Sequence, residues 1–237
     1  MKISVCIFTY LRPHVLEEQL QSIKEQTIPV NEIILGHLKN DKTPNFNFKD
    51  YKLIQFYFDP GIHAKFIVAT AVQANTDFIV IIDDDIIPGK KWLENCLASY
   101  EKKEGVYGIL GFNLDSNSPS GCRHSAGREQ LNKEIVQVDF LGQGWFSPFK
   151  YLRYMWSEPF PFYNQNGDDI WFSYQLYKHG IKSFIPPYLP DNPEMWGNKK
   201  MVAGKESLSL RDEHHNENRK KLIEIGRKKG WKSICQK

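Results

Sequence analysis

The sequence predicts an α/β protein with a central, mostly parallel sheet that is flanked by helices. Apolar segments rich in β-branched residues alternate with amphipathic segments of helical period, which is the order of βαβ units. Phe78–Ile82 has the length and composition of a strand buried on both faces. The chain has 237 residues, of which 41% are hydrophobic and 25% are charged, and these values fit one globular domain.

The first half of the chain is predicted to alternate strands with helices. Pro13 suits the first turn of a helix, and Leu16, Leu20 and Ile23 then recur at helical spacing. Strands are expected at Lys2–Thr9, Glu32–Leu38, Tyr51–Phe58 and Phe78–Ile82, and helices at Pro13–Gln26, Ile62–Val72 and Lys90–Lys103. Gly105 is expected to cap the last of these helices, and Lys39–Asn47 is expected to be a loop.

The second half has weaker patterns. Asn113–Arg128 is rich in Ser, Asn and Gly, which indicates a long loop. Strands are expected at Val106–Phe112, Glu134–Leu141 and Lys182–Ile185, a turn at Gly142–Trp145, and helices at Asn166–His179 and Asp212–Lys229. Gly180 is expected to end the first of these helices.

Composition excludes several classes of protein. A net charge of +3 is too small to indicate a nucleic-acid partner. The four cysteines are scattered without a Cys-x-x-Cys pair, which argues against a zinc site and favours a reducing compartment. We expect no signal peptide and no transmembrane segment, and therefore a cytoplasmic protein. The basic C-terminal segment leaves peripheral attachment to a membrane open.

Three consecutive carboxylates, Asp83, Asp84 and Asp85, follow the buried strand. On an extended segment Asp83 and Asp85 would face one way, and Asp84 would face the other. Their mutual repulsion requires a counter-charge, and the simplest is Mg²⁺ or Mn²⁺, which favour oxygen ligands. The ends of the other parallel strands, at Thr9–Arg12 and near Asp41, are expected at the same edge of the sheet, where ligands bind in such folds.

A second acidic pair, Asp168 and Asp169, opens a predicted helix directly after Gly167. Acidic side chains in a first turn interact favourably with the helix dipole, so capping is one explanation for them. A functional site is the other, because the pair follows a glycine turn and an aromatic, proline-bearing segment, Phe146–Phe162.

Four motifs taken in order resemble the GT-A fold glycosyltransferases, most closely the family 2-like group. They are Val5–Pro13, Gly61-x-x-x-Lys65, Phe78–Asp85 and Gly167-Asp168-Asp169, and the resemblance covers about residues 1–185. It implies a single GT-A type domain, 1–237, with a Rossmann-like sheet. Within it, residues 1–112 would form the nucleotide-sugar-binding half, 113–212 the acceptor-side half and 213–237 a C-terminal helix.

The resemblance implies a metal-dependent glycosyltransferase of the hexosyltransferase class. Such an enzyme moves a sugar from a nucleotide-sugar donor, here a UDP- or GDP-sugar, to a hydroxyl of a glycan, glycoprotein or lipid-linked acceptor. Asp83 and Asp85 match the Asp-x-Asp motif that holds Mn²⁺ or Mg²⁺. The residues that match donor-binding positions of the family are Thr9, Tyr10, Arg12, Asp41, Lys65, Asp83 and Asp84.

Gly167-Asp168-Asp169 matches the family's Glu-Asp pair, with Asp168 in place of the glutamate. Asp169 would then be the general base, although either residue of the pair is a candidate. With such a base, the transferred sugar would change its anomeric configuration, so the enzyme would be inverting. His214 or His215 is a candidate further metal ligand, since some members of the fold return a late histidine to the cation. Exposed histidines at a helix start are the alternative.

Two other functions are compatible with these residues. A nucleotidyltransferase of sugar phosphates also places paired carboxylates on Mg²⁺, but it usually has a glycine-rich loop after the first strand, and Thr9–Pro13 contains no glycine. A non-catalytic carbohydrate-binding module with the same fold is the other. Retention of both acidic motifs favours the transferase.

Overall fold

A computed structural model describes residues 1–9, 12–38, 51–61, 63–118, 120–127, 130–161, 166–200 and 214–235. The strands are β1 Ile3–Thr9, β2 Glu32–Leu38, β3 Lys52–Phe56, β4 Phe78–Ile82, β5 Val106–Leu114, β6 Cys122–Ala126, β7 Val136–Val138, β8 Phe140–Pro148 and β9 Ser183–Ile185. The α-helices are α1 Pro13–Lys24, α2 Ala64–Ala69, α3 Trp92–Lys102, α4 Asp168–Lys178 and α5 His215–Lys228, and short 3-10 helices span Phe149–Trp156 and Pro193–Met195. The predicted loop Lys39–Asn47 lies outside the described residues.

The strands form a single mixed sheet in the order β3-β2-β1-β4-β8-β5-β9-β7, with β6 paired to β5. β1 pairs in parallel with β2 and β4, and β2 with β3. Beyond β4 the pairing changes, because β8 is antiparallel to both β4 and β5. The α/β prediction is confirmed. The four N-terminal strands are parallel to one another, as are β5 and β9, and the other pairs of the sheet are antiparallel.

Helices cover both faces of this sheet, so that there is a hydrophobic core on each face. Alternate residues of β4 pack into one core or the other. Ile79 and Ile81 belong to the core that contains α2 and α4, whereas Val80 and Ile82 belong to the core that contains α1 and α3. Each side chain of this strand from Ile79 onward is almost fully buried. The strand therefore lies in the centre of the sheet, as its composition predicts.

Two predictions for the second half are wrong. Gly142–Trp145 is not a turn but the middle of β8, and Asn113–Arg128 is not wholly a loop, because it contains β6. Packing explains the glycines of β8. A Cβ atom on Gly144 would lie 2.7 Å from Cδ1 of Ile109 and 3.0 Å from Cγ2 of Ile82. Glycine is required here by a close approach between strands and does not mark a turn.

The helix ends agree only in part with the sequence analysis. Gly180 has a φ of +72° after α4, the left-handed conformation expected of a C-terminal glycine. Gly105 is not the cap of α3, since that helix ends at Lys102 and Lys103 is already extended. None of the described helices is both long and apolar enough to cross a lipid bilayer.

We predict that Gly144→Ala lowers the free energy of unfolding by about 1–3 kcal/mol, because the added methyl overpacks the β4–β8–β5 interface. Gly142→Ala is the matched control, since its Cβ would lie 3.1 Å from Cε2 of Phe112 and no closer than 3.8 Å to the next atom, Asp169 Oδ2. Urea denaturation of both variants measures the difference. Equal effects on the two would show that crowding at Ile109 is not the reason for Gly144.

Candidate active site

The three aspartates after β4 lie in a turn rather than in an extended segment. The Ile86 N–H donates a hydrogen bond of 3.3 Å to the Asp83 carbonyl, so the chain reverses directly after the strand. The alternation expected of Asp83 and Asp85 therefore does not apply. Instead, one guanidinium, that of Arg12, contacts Asp84 Oδ1 at 2.5 Å and Asp85 Oδ2 at 2.6 Å.

Asp83 has a different partner, Lys65, which projects from the first turn of α2. The Lys65 ammonium lies 2.6 Å from Asp83 Oδ1 and 2.8 Å from Asp168 Oδ2, and 4.7 Å from the centre of the Trp145 ring. Burial by itself lowers the pKa of Lys65, but Asp168 and Asp83 outweigh it, and the net shift is upward. One cation thus joins the end of β4 to the start of α4.

Asp168 and Asp169 both lie in the first turn of α4, after Gly167, whose φ is +105°. The Asp169 carboxylate accepts two hydrogen bonds from the Arg219 guanidinium, at 2.9 and 2.8 Å. Its Oδ1 atom also accepts the Ile170 N–H at 2.9 Å. The pair therefore interacts with Lys65 and Arg219, cationic side chains of two other helices, which capping alone would not require.

Different partners separate the pKa values of these carboxyl groups. Burial raises the pKa of Asp168, and the nearby charges of Asp169 and Asp83 add to this effect. Burial acts on Asp169 in the same direction, but Arg219 outweighs it and holds the pKa of Asp169 below its ordinary value. Burial, followed by the charge of Asp83, raises the pKa of Asp85 to about 6.

The described part of the site carries more negative than positive charge. The carboxylates are Asp83, Asp84, Asp85, Asp168 and Asp169, and the cations that contact them are Arg12, Lys65 and Arg219. Five negative and three positive charges leave a formal excess of two negative charges. A divalent cation carries the opposite charge, and the oxygen ligands are those that Mg²⁺ and Mn²⁺ accept. The residues therefore fit such an ion in charge and ligand type.

The four residues predicted to bind the metal do not come together. Within the described ranges no three His, Cys, Asp or Glu side chains form a group that could hold a metal ion. His214 is largely exposed and lies 3.4 Å from Glu217 of its own helix. The side chain of α5 that reaches the acidic cluster is Arg219, one turn further along the helix than His215. Mg²⁺ commonly uses one or two carboxylates together with substrate phosphates, so Asp83 and Asp85 remain candidates.

Arg219 was missed because Arg219–Lys229 looks like a solvated basic segment in the sequence. A signal was present, since Leu222, Ile223 and Gly226 follow Arg219 at the spacing of one helix face. All three are buried. An arginine that shares an apolar helix face needs a buried counter-charge, and Asp169 provides it.

Among the predicted donor-binding residues, Arg12, Lys65, Asp83 and Asp84 belong to this cluster. Thr9 is buried at the end of β1, and its hydroxyl makes no hydrogen bond to the described residues. Tyr10 and Asp41 lie outside the described residues. His63, two residues before Lys65, is buried against Phe160, with ring centres 4.3 Å apart. Burial and the Lys65 charge lower the pKa of His63 to about 4, so its ring is neutral at physiological pH.

Known proteins resemble this chain in sequence and in fold. Residues 4–120 match the sequence model of the family described as Glycosyl transferase family 2. The crystal structure of S. aureus TarS 1-349 is 16% identical, with a TM-score of 0.58 over 79% of this chain and 58% of that chain. The same protein in complex with UDP-GlcNAc is 16% identical, with a TM-score of 0.57 over 79% of this chain and 56% of that chain.

The crystal structure of GalNAc-T7 with UDP, GalNAc and Mn²⁺ is 13% identical, with a TM-score of 0.63 over 94% of this chain and 48% of that chain. The chain thus spans about half to three fifths of these structures. No curated protein sequence matches it significantly. Residues 4–120 are family 2-like and the fold is of the GT-A type, as the sequence motifs imply.

We predict that Arg219→Met lowers the free energy of unfolding by about 3–5 kcal/mol near pH 8, because it leaves a buried carboxylate without its counter-charge. The Arg219 pair holds the pKa of Asp169 down, so its stabilisation is present above the ordinary aspartate pKa and is lost as the pH falls. In the variant the Asp169 pKa rises instead. The difference between the two proteins should therefore shrink between about pH 8 and about pH 5.

Urea denaturation at the two pH values measures this difference. Lys221→Met is the control, because Lys221 pairs with Glu217 on the exposed side of the same helix and should change stability by less than about 1 kcal/mol. A pH-independent loss in Arg219→Met would contradict the electrostatic explanation and would indicate lost packing alone.

Proposed function

We propose that this chain is a metal-dependent glycosyltransferase that transfers a sugar from a nucleotide-sugar donor to an acceptor hydroxyl with inversion. The observation that carries the proposal is the double ion pair of Lys65 with Asp83 and Asp168. It brings together two acidic motifs that are far apart in sequence, one after a strand of the family 2-like half and one at the start of α4. The family match and the GT-A fold support the same function.

The donor side of the reaction is assigned to the turn after β4. Asp83 and Asp85 would hold Mn²⁺ or Mg²⁺, and such an ion stabilises the negative charge of a departing diphosphate. Arg12 keeps Asp84 and Asp85 in place from the loop after β1. Thr9, Tyr10, Asp41 and Lys65 are proposed to contact the nucleotide, and Asp84 to face its ribose or the protein.

The nucleotide is proposed to be UDP. TarS was crystallised with UDP and with UDP-GlcNAc, and GalNAc-T7 with UDP, GalNAc and Mn²⁺. These ligands belong to the neighbours, whose low sequence identity shows only a shared fold. A glycan, glycoprotein or lipid-linked molecule provides the acceptor hydroxyl in this proposal.

The acceptor side is assigned to the start of α4. A sugar hydroxyl is a weak nucleophile, so a carboxylate within hydrogen-bond reach must take its proton as the new bond forms. Asp169 is the proposed base, because Arg219 keeps it ionised and orients it. Its Oδ1 atom accepts hydrogen bonds from Arg219 and the Ile170 N–H, whereas Oδ2 accepts one from Arg219 and retains a further lone pair for the acceptor proton. Asp168, with its raised pKa and its Lys65 contact, is a positioning residue that links the base to the donor side.

The metal-binding proposal predicts that Mn²⁺ strengthens the binding of UDP to the wild-type protein by about tenfold or more, and that Asp85→Asn loses most of this gain. Isothermal titration with UDP, with and without Mn²⁺, measures it. Glu101→Gln, an exposed acid on α3, is the control and should behave like the wild type. Full sugar transfer by Asp85→Asn in the presence of a chelator would contradict the proposal.

The base assignment predicts that Asp169→Asn keeps the affinity for the nucleotide sugar within about threefold while the transfer rate falls by about 10²–10⁴. Asp168→Asn, which retains the Asp169–Arg219 pair, should lose less. Single-turnover transfer and donor titration on the same samples, after circular dichroism has confirmed folding, separate the two effects. A larger rate loss in Asp168→Asn would reassign the base to Asp168, and lost donor affinity in Asp169→Asn would move Asp169 to the donor site.

A further inference from the structure

Gln143 lies on β8, between the two acidic motifs, and not in the turn that the glycines on either side of it predict. The Asp83 N–H donates a hydrogen bond of 3.1 Å to the Gln143 carbonyl. On its other side is Gly142, where a Cβ atom would lie 3.8 Å from Asp169 Oδ2. The backbone at Gln143 therefore joins the proposed donor side of the site to the proposed base.

The conformation of Gln143 is unusual. Its φ is +66°, and it is the one residue other than glycine with a positive φ in the described part of the chain. On β5 the pairing shifts between Gly108 and Leu110, so that Gln143 and Gly144 face Ile109 in a β-bulge. Glycine adopts this conformation without strain, whereas residues that carry a Cβ atom adopt it at a cost in energy. A side chain held here against a local preference is a candidate for function.

The carboxamide oxygen of Gln143 also lacks a hydrogen-bond partner. Its Oε1 atom is buried, and no described group hydrogen-bonds to it, although the residue as a whole is half-buried. Gln175 has an unpaired carboxamide too, but the whole residue is buried in α4, whereas part of Gln143 is exposed. Buried polar atoms are nearly always paired, so the Gln143 carboxamide is a candidate to take the missing hydrogen bond from a ligand.

The chemistry of the carboxamide limits what this ligand group can be. An amide oxygen accepts a hydrogen bond, so it can bind a hydroxyl but not the oxygens of a diphosphate. If the amide were turned over, its NH2 group could donate to a hydroxyl or to a diphosphate oxygen, and binding of UDP alone distinguishes these two cases. The position of Gln143 between Asp83 and Asp169 indicates which molecule carries this hydroxyl. In the proposed reaction the sugar that is transferred lies between the diphosphate near Asp83 and the acceptor near Asp169.

We propose that Gln143 is a specificity-determining residue whose carboxamide hydrogen-bonds a hydroxyl of the transferred sugar. This inference rests on the proposed function and adds a role that no motif of the sequence assigned. It predicts that Gln143 contributes to recognition of the sugar and not of the nucleotide.

The test compares Gln143→Gly with the wild type. Glycine accepts the positive φ and keeps the backbone bond to Asp83, so the substitution removes the carboxamide and leaves the bulge in place. Titration with UDP and with UDP-glucose, UDP-galactose, UDP-GlcNAc and UDP-GalNAc, all with Mn²⁺, gives the affinity for each. We expect unchanged affinity for UDP, and about a tenfold loss for the nucleotide sugar that the wild type binds best.

Two further variants control the experiment. Gln143→Asn keeps a carboxamide and tolerates the left-handed region, so it should lose less affinity for the sugar than Gln143→Gly. Gln175→Leu removes another carboxamide that lacks a hydrogen-bond partner, away from the proposed site, and should leave every affinity unchanged. Circular dichroism and thermal unfolding confirm that each protein is folded.

Two results would overturn the inference. Gln143→Gly could bind UDP and the nucleotide sugar as the wild type does, which would leave the carboxamide without a role in sugar recognition. It could also lose affinity for UDP to the same extent, which would place the carboxamide at the nucleotide or the cation. Failure of the proposed function looks different, because the wild type itself would then bind none of the nucleotides, and the inference would fall with it.

Discussion

The ammonium group of Lys65 is the interaction on which the geometry of the site depends. Asp83 and Asp168 are carried by different elements, and both are within 3 Å of this one nitrogen. Without it, two carboxylates would be left close together in a largely buried place, and such charges are stable only when they are paired. The same rule applies to Asp169, which depends on Arg219, and to Asp85, which depends on Arg12. The acidic cluster is therefore built by cations from three separate helices and loops.

The mixed sheet explains why residues from both halves of the chain meet at one place. The parallel strands β1, β2 and β4 end at the same edge, which brings Arg12 to Asp84 and Asp85. β8 then enters antiparallel beside β4, so that Gln143, near the start of β8, passes the end of β4. A purely parallel sheet would place the end of β8 there instead, and the bulge at Gln143 would have no contact with the aspartate turn.

The sequence predicts the first half of the fold well and the second half poorly, for a physical reason. β2 and β4 have the predicted bounds because buried parallel strands are long, apolar and β-branched. β8 was missed because close packing between strands demands Gly144, and glycine also marks turns. The acidic motifs are recognisable from their residue types, and the resemblance names Arg12 and Lys65, but Arg219 and the pairing of each cation with its aspartate are not predicted. Which lysine or arginine neutralises a given aspartate depends on tertiary contacts, and Arg219 is far from Asp169 in sequence.

The end of the family match divides the residues of the site into two groups, and an ion pair connects the groups. The match ends at residue 120, and the residues on its side of this boundary are Arg12, Lys65 and Asp83–Asp85. Asp168, Asp169 and Arg219 lie beyond it, as does Gln143. Lys65 is the cation that crosses the boundary, with one carboxylate on each side. In the proposed function this boundary separates the donor side of the site from the proposed base, and Lys65 holds the two sides together.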